Sequence, residues 1–287
     1  MASRRSIIAA LVASSGLVAA QNATAFSGPG PYPEGQSFLD DAQVTTEKTV
    51  SFDLFYPNEG NAPRWQLITR LEQAAPPDSA IPDASVLNTV YDFGYPNGGN
   101  LSEAVAASSG QLNQNNFCVT ILESLLPSKE ANRYNADTES NASDGSCRYA
   151  LRDQCLNAIN DRVAKTQPAD NGCRLSNLNV TDIVQCEWIF NEETKLSTYN
   201  LLAPELAGNL TGGFAHITSD PFDAGNTTFL DIAETRVHMV VIDSGSTFTP
   251  LCVKIDAERD QVGSASIARV SMGLVAAAIG TVVYAMV

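Results

Sequence analysis

All six cysteines of this 287-residue chain lie between Cys118 and Cys252: Cys118, Cys147, Cys155, Cys173, Cys186 and Cys252. What they allow depends on the compartment, and the first residues bear on that. "MASRRSIIAALVASSGLVAAQNATAF" opens with Arg4 and Arg5 and runs through an apolar, Ala-rich stretch from Ile7 to Val18. Small residues then permit cleavage after Ala20 or after Ala25. This is the order of a secretory signal, too short to span a bilayer and excluded from the fold. An organellar presequence fits poorly, because Glu34, Asp40 and Asp41 follow soon and the arginines do not continue. In an oxidising compartment an even cysteine count predicts disulfides. No C-x-x-C pair supports a zinc or thioredoxin-like reading.

Six cysteines permit fifteen connectivities, and helix geometry narrows them. "CRYALRDQC" reads as helix, and eight helical residues hold Cα atoms about 12 Å apart, too far for Cys147 to bond Cys155. The expected pairs are Cys147–Cys186 and Cys155–Cys173, leaving Cys118–Cys252. The last has its own motive. "FCVTIL" and "LCVKI" are short β-branched segments with cysteine second, as two crosslinked neighbouring strands would be.

The other end of the chain is apolar. "VSMGLVAAAIGTVVYAMV", from Val270, has 18 uncharged residues with no Lys or Arg beyond. Gly263, Ser264, Ala265 and Ser266 precede it. Small residues, a polar spacer and an apolar tail predict a GPI anchor, attached at Gly263 or Ser264. The spacer is short, so the alternative is a single C-terminal transmembrane helix. The full chain carries −15; losing Arg4, Arg5 and Arg269 makes it about −18, which argues against nucleic-acid partners. Six sequons, Asn22, Asn100, Asn141, Asn179, Asn209 and Asn226, predict glycans on surface loops.

Between the ends, residues 26–46 read as an extended Gly/Pro-rich entry, 47–257 as one extracellular domain, 258–263 as an anchor-proximal segment and 264–287 as the removed tail. "TVSFDLFYP" alternates as a half-buried strand. "RWQLITRLEQ" is ambiguous between strand and helix, and "SVLNTVYDFGYPNGGN" is a strand ending in a turn. "LSEAVAASSGQL" suggests a short helix. Residues 147–190 read as helical, and short strands follow around Phe214, Phe229, Val237–Ile242 and Leu251–Ile255. The expected fold is α+β: a β-sandwich-like pair of antiparallel sheets carrying a disulfide-bound helical insertion.

One stretch suggests chemistry. "VVIDSGSTFTP", with Asp243-Ser244-Gly245-Ser246-Thr247, resembles one active-site half of the pepsin-like aspartic proteases, and the GPI-anchored members of that class, the fungal yapsins, share the context. That resemblance implies two carboxylates sharing a proton. No second D-[ST]-G occurs in the chain, and only about twenty residues separate Asp243 from the attachment site. No catalytic residue is therefore assigned, and Asp243 is the single candidate. As structure, the stretch reads as strand, turn and return strand, with Gly245 free to take positive φ.

Other chemistry is thin. His216 and His238 are the only histidines, and His238 lies within an apolar strand, as a core histidine would. The acidic run "SDPFDAGNTTFLDIAET" and the loop "DTESNASDG" match no calcium loop. No metal or cofactor is expected, and Trp65 and Trp188 read as core residues. As a whole the layout resembles that of GPI-anchored fungal cell-surface and cell-wall glycoproteins. The resemblance implies a secreted, membrane-tethered, non-enzymatic glycoprotein in wall organisation, adhesion or recognition, facing wall polysaccharide or a surface protein. The alternatives are a wall-associated hydrolase with an unrecognised carboxylate site and a degenerate aspartic-protease relative.

Overall fold

The computed structural model describes residues 26–259 apart from 31, 33–35, 55–63, 78, 97, 108–111, 113–115, 136–144, 193, 207–212 and 246–247. The expected signal, the expected anchor site and the apolar tail lie outside the described residues, as do Asn22, Asn141 and Asn209. Among the described residues no helix is long and apolar enough to cross a membrane.

Two antiparallel sheets stack face to face. The first runs β1 (Phe26–Pro29), β7 (Ala215–Thr218), β4 (Ala84–Gly94), β3 (Trp65–Ala74), β2 (Gln43–Phe52), with β8 (Phe222–Asp223) also on β4. The second runs β10 (Phe248–Lys254), β9 (Val237–Asp243), β5 (Cys118–Leu122), β6 (Leu196–Asn200). The ambiguous "RWQLITRLEQ" is strand β3, and its alternation decides this: Trp65, Leu67 and Leu71 are buried on one face. Trp65 and Leu67 meet Val119, Ile121, Val240 and Ile242 from the second sheet, while Leu71 packs with Leu87, Phe222 and Ala233. Aromatic rings fill the space between, with Trp65 stacked on Phe117 at 5.6 Å and Phe93 on Phe214 at 4.3 Å.

A helical layer covers the other face of the second sheet. It comprises α3 (Arg148–Lys165) and 3-10 turns at Leu175–Asn177, Val180–Asp182 and Val184–Cys186. Because strand side chains alternate, Leu122, Val237, Met239 and Val241 face this layer, against Leu151, Ile159 and Val180. The packing is tight, with a void of about 10 Å³ between them, too small to hold more than one water. The short helices α1 (Leu101–Ala107), α2 (Ser128–Ala131) and α4 (Thr228–Thr235) close the edges. The fold is thus the expected antiparallel, sheet-rich α+β sandwich with a disulfide-bound helical insertion.

Three details correct the sequence reading. The region around Phe229 is not a strand; it lies in α4, whose apolar face packs Phe229 on Phe222 at 4.5 Å. The entry segment is not wholly extended, since residues 37–41 form a 3-10 turn that buries Leu39. The helix through "CRYALRDQC" is broken at Arg152, which has φ 59° and ψ 155°. A positive φ at an arginine is strained, and its side chain is held by stacking 4.1 Å over Trp188 and by Glu130 at 3.6 Å. Trp188 is accordingly half-buried, whereas Trp65 is core.

The disulfides are Cys118–Cys173, Cys147–Cys252 and Cys155–Cys186, so all three expected pairs are replaced. Cys118–Cys252 fails because β5 and β10 are not neighbours: β9 lies between them. Two strand spacings are about 10 Å, beyond disulfide reach. Cys147–Cys186 fails because the bridge from Ser146 to Leu251 sets Cys147 beside Cys252. Cys155–Cys173 fails because Cys186 arrives under α3 while Cys173 turns toward β5. Cys147 and Cys155 do bond elsewhere rather than to each other.

Candidate functional site

Asp243 ends β9 and points into the helical layer, where its carboxylate is 3% exposed. Arg174 meets it with two parallel bonds, Nε to Oδ2 at 3.0 Å and Nη2 to Oδ1 at 2.5 Å. The Gly245 N–H also donates to Oδ1 at 3.0 Å, and Gly245 takes φ 81°. The turn chemistry is as expected from "DSGST". The arginine is not signalled by that stretch, since it comes from a loop 69 residues earlier. Bonding to Asp243 raises the Arg174 guanidinium above its ordinary value, as a bidentate ion pair should. A protease dyad instead needs an aspartate facing a second carboxylate across a shared proton. The described partners of Asp243 are Arg174 and Gly245, an arrangement that fixes structure.

His238 is the core histidine its apolar strand implies. Its Nε2 lies 2.8 Å from the Ala233 carbonyl and its Nδ1 lies 3.0 Å from the Tyr91 hydroxyl. A carbonyl only accepts, so Nε2 carries the proton and Nδ1 accepts from Tyr91. Burial, opposed in part by the Ala233 bond, lowers its pKa to about 4. The ring ties α4 to both sheets. Its two nitrogens are committed, and it serves packing rather than proton transfer.

A groove of about 580 Å³ lies along the edge strand β6. Tyr199 and Leu202 give it an apolar wall; Asn116, Asn171, Asp170 and Glu205 give it amides and carboxylates. One side chain braces the whole. Asn200 Oδ1 accepts from the Phe117 and Leu202 N–H groups, each at 3.2 Å, and Nδ2 donates to Asn116 Oδ1 and the Asn171 carbonyl, each at 3.1 Å. The Cys118–Cys173 bond fixes the adjoining backbone. Gly172, at φ 81°, passes so close to Asn116 that a Cβ there would stand 2.5 Å from Oδ1. This site leaves no local mark in the sequence because its residues come from four separate segments, at 29, 116, 170–172 and 198–206.

Among the described residues no group of three or more His, Cys, Asp or Glu could hold a metal ion. The described sequons are exposed at Asn100, Asn179 and Asn226. At Asn179 the Thr181 hydroxyl donates to the amide oxygen at 2.8 Å. Comparison with protein families, with curated proteins and with solved structures finds no match for the chain.

Proposed function

We propose that this chain is a secreted, membrane-tethered glycoprotein of the cell surface that recognises neutral polysaccharide through the β6 groove. The observation that carries the reading is the groove's lining. An amphipathic aromatic ring beside planar amides and carboxylates suits a sugar, which offers an apolar face and a ring of hydroxyls. Asp170 and Glu205, with no cation among the described lining residues, disfavour acidic sugars. The rigid brace at Asn200 supports a preformed site, which lowers the ordering cost of binding. Exposed sequons and three disulfides agree with an extracellular setting, and the tether rests on the small-residue site and apolar tail.

Calorimetric titration of the purified protein with neutral wall oligosaccharides tests the groove. Saturable heat, lost in Tyr199→Ala and in Asn171→Ala, is expected; no heat with any neutral fragment would sink the assignment. Asp170 and Glu205 share the groove, which gives the hydrolase alternative a specific form. Cleavage of the bound oligosaccharide, abolished in Asp170→Asn or Glu205→Gln, would establish it instead. The anchor has its own test: phosphatidylinositol-specific phospholipase C should move the protein out of the detergent phase.

A further inference from the structure

The outward face of the first sheet carries a polar row that the fold nevertheless buries. Register puts Glu72, Asn88 and Thr218 in one line and Arg70, Val90 and His216 in the next, on the same face. Asn88 and His216 have no exposed surface, Thr218 is 3% exposed and Glu72 8%. The N-terminal part of the chain hides them. Gly30 bonds back to Phe214 at 3.4 Å. The Tyr32 ring sits 4.3 Å from the His216 ring, and its hydroxyl accepts from Asn88 Nδ2 at 2.8 Å. Leu39, in the 3-10 turn, is 2% exposed.

Nearly every group under this cover is satisfied. Asn88 Nδ2 also donates to Glu72 at 3.2 Å, Thr218 donates to Asn88 Oδ1 at 2.9 Å, and Arg70 reaches Glu72 at 3.3 Å and Asp92 at 3.5 Å. His216 stands out, since neither Nδ1 nor Nε2 has a hydrogen-bond partner among the described residues; within the cover itself, Gln36 Oε1 is also buried without one. The ring is hemmed in, because a Cβ built on Gly30 would lie 3.0 Å from Nε2 and 2.6 Å from the Gly213 carbonyl oxygen. We infer that the cover formed by Gly30, Tyr32 and the Ser37–Asp41 turn is an acid-released strap, which opens when His216 beneath it takes up a proton.

The charge balance gives the direction. An imidazolium at His216 would present two N–H groups and a full charge where the neutral ring already finds no acceptor. Among the described residues the charged groups nearby are Arg70 and Glu72 from β3, Asp92 from β4, exposed Glu47 from β2 beside Arg70, and Asp40 from the covering turn. Arg70 repels the new charge, and Glu72 is already engaged by Arg70 and Asn88. Burial first, and Arg70 second, hold His216 down to about 4. Water is reached by lifting Gly30 and Tyr32. This opening is local: the cover precedes the first cysteine, so no disulfide restrains it, and its pairing is the four-residue edge strand β1.

Hydrogen exchange on the full-length protein at pH 7 and about pH 4.5, expressed as protection factors, reads the opening. A ring titrating at about 4 when covered and at the ordinary 6.5 when released shifts the opening equilibrium about 60-fold over that interval. Protection at Gly30, Leu39 and Ala42 should fall by that order while β9 and β10 keep theirs. His216→Phe, which cannot titrate, should hold the cover at both pH values. Acid opening that persists in this variant, simultaneous loss across β9 and β10, or unchanged protection would each overturn the strap. Should His216→Phe not fold, the His216 Cε1–H resonance of the native protein decides. A midpoint coinciding with cover opening supports the strap; an ordinary midpoint near 6.5 under full protection refutes it.

Discussion

Arg174 and Asp243, 69 residues apart, meet in a bidentate ion pair directly beside the Cys118–Cys173 disulfide. Cys118 and Asp243 face each other across β5 and β9. Two consecutive residues of the helical layer, Cys173 and Arg174, are therefore fastened to two directly opposed residues of the sheet. One bond is covalent and the other ionic.

The pair should respond unequally to losing either member. Arg174 retains 18% side-chain exposure and Asp243 3%. Without Asp243 the guanidinium can turn toward water; without Arg174 the carboxylate is trapped. Arg174→Met should cost about 3–5 kcal/mol of unfolding free energy, and Asp243→Asn about 1–2 kcal/mol. Urea denaturation of the two variants measures the difference, and equal costs would contradict the burial argument.

Non-reducing peptide mapping should recover Cys118–Cys173, Cys147–Cys252 and Cys155–Cys186. Their sequence separations are 55, 105 and 31. In the chain-entropy account, opening each by a double Ser substitution costs about 4.2, 4.7 and 3.7 kcal/mol respectively. The expected order of melting temperatures among the three variants follows from those separations.

His238 predicts an acid limb in stability. Its pKa is lowered to about 4 in the fold, against about 6.5 in the unfolded chain. The unfolded state therefore binds more protons between those values, and stability present above pH 6.5 is lost as pH falls toward 4. The full loss is about 3 kcal/mol for this residue. In His238→Gln, whatever its baseline, the slope of unfolding free energy against pH should be shallower by one proton in that window.

Asn200→Ala removes the brace of the groove and leaves the Phe117 and Leu202 N–H groups without that acceptor. A loss of about 2–4 kcal/mol is expected, together with any saccharide binding. Tyr199→Ala should remove binding with a smaller change in melting temperature. Equal melting temperatures for Asn200→Ala and the native protein would mean the four bonds do not hold the groove.

Gly30→Ala places a methyl group 2.6 Å from a backbone oxygen and 3.0 Å from His216. Gly30 and Tyr32 should then lose exchange protection at neutral pH, with the disulfide-bound layer unaffected. Retained protection would show that the backbone there yields more easily than its contacts suggest.

What was legible in the sequence was periodicity and punctuation. Alternation at "TVSFDLFYP" marked β2, and "DSGST" marked the turn after β9, because both signals are local. The α+β sandwich with its helical insertion followed from the order of such segments. "TTFLDIAET" was misread because Phe229 and Leu230 look strand-like until their spacing to Ala233 is set against Phe222. The disulfides were mispaired because pairing depends on strand order, and the placing of β9 between β5 and β10 leaves no mark near either cysteine. The Arg174 partner of Asp243 and the Asn200 brace were illegible for the same reason. Each joins segments that only the topology brings together.

The hairpin of β9 and β10 has a mechanical consequence. Tension applied to the chain beyond β10 must first free Asp256 and Arg259 from α4, where they bond Glu234 and Asp231; it then peels β10 from the Lys254 end, breaking the Lys254–Val237 and Val253–His238 pairs. The next residue is Cys252, bonded to Cys147 in the helical layer. Peeling halts there after two pairs, and the load passes into a covalent bond and onward to α3. A pull from the C-terminal side thus meets a rivet where an unlinked hairpin would unzip.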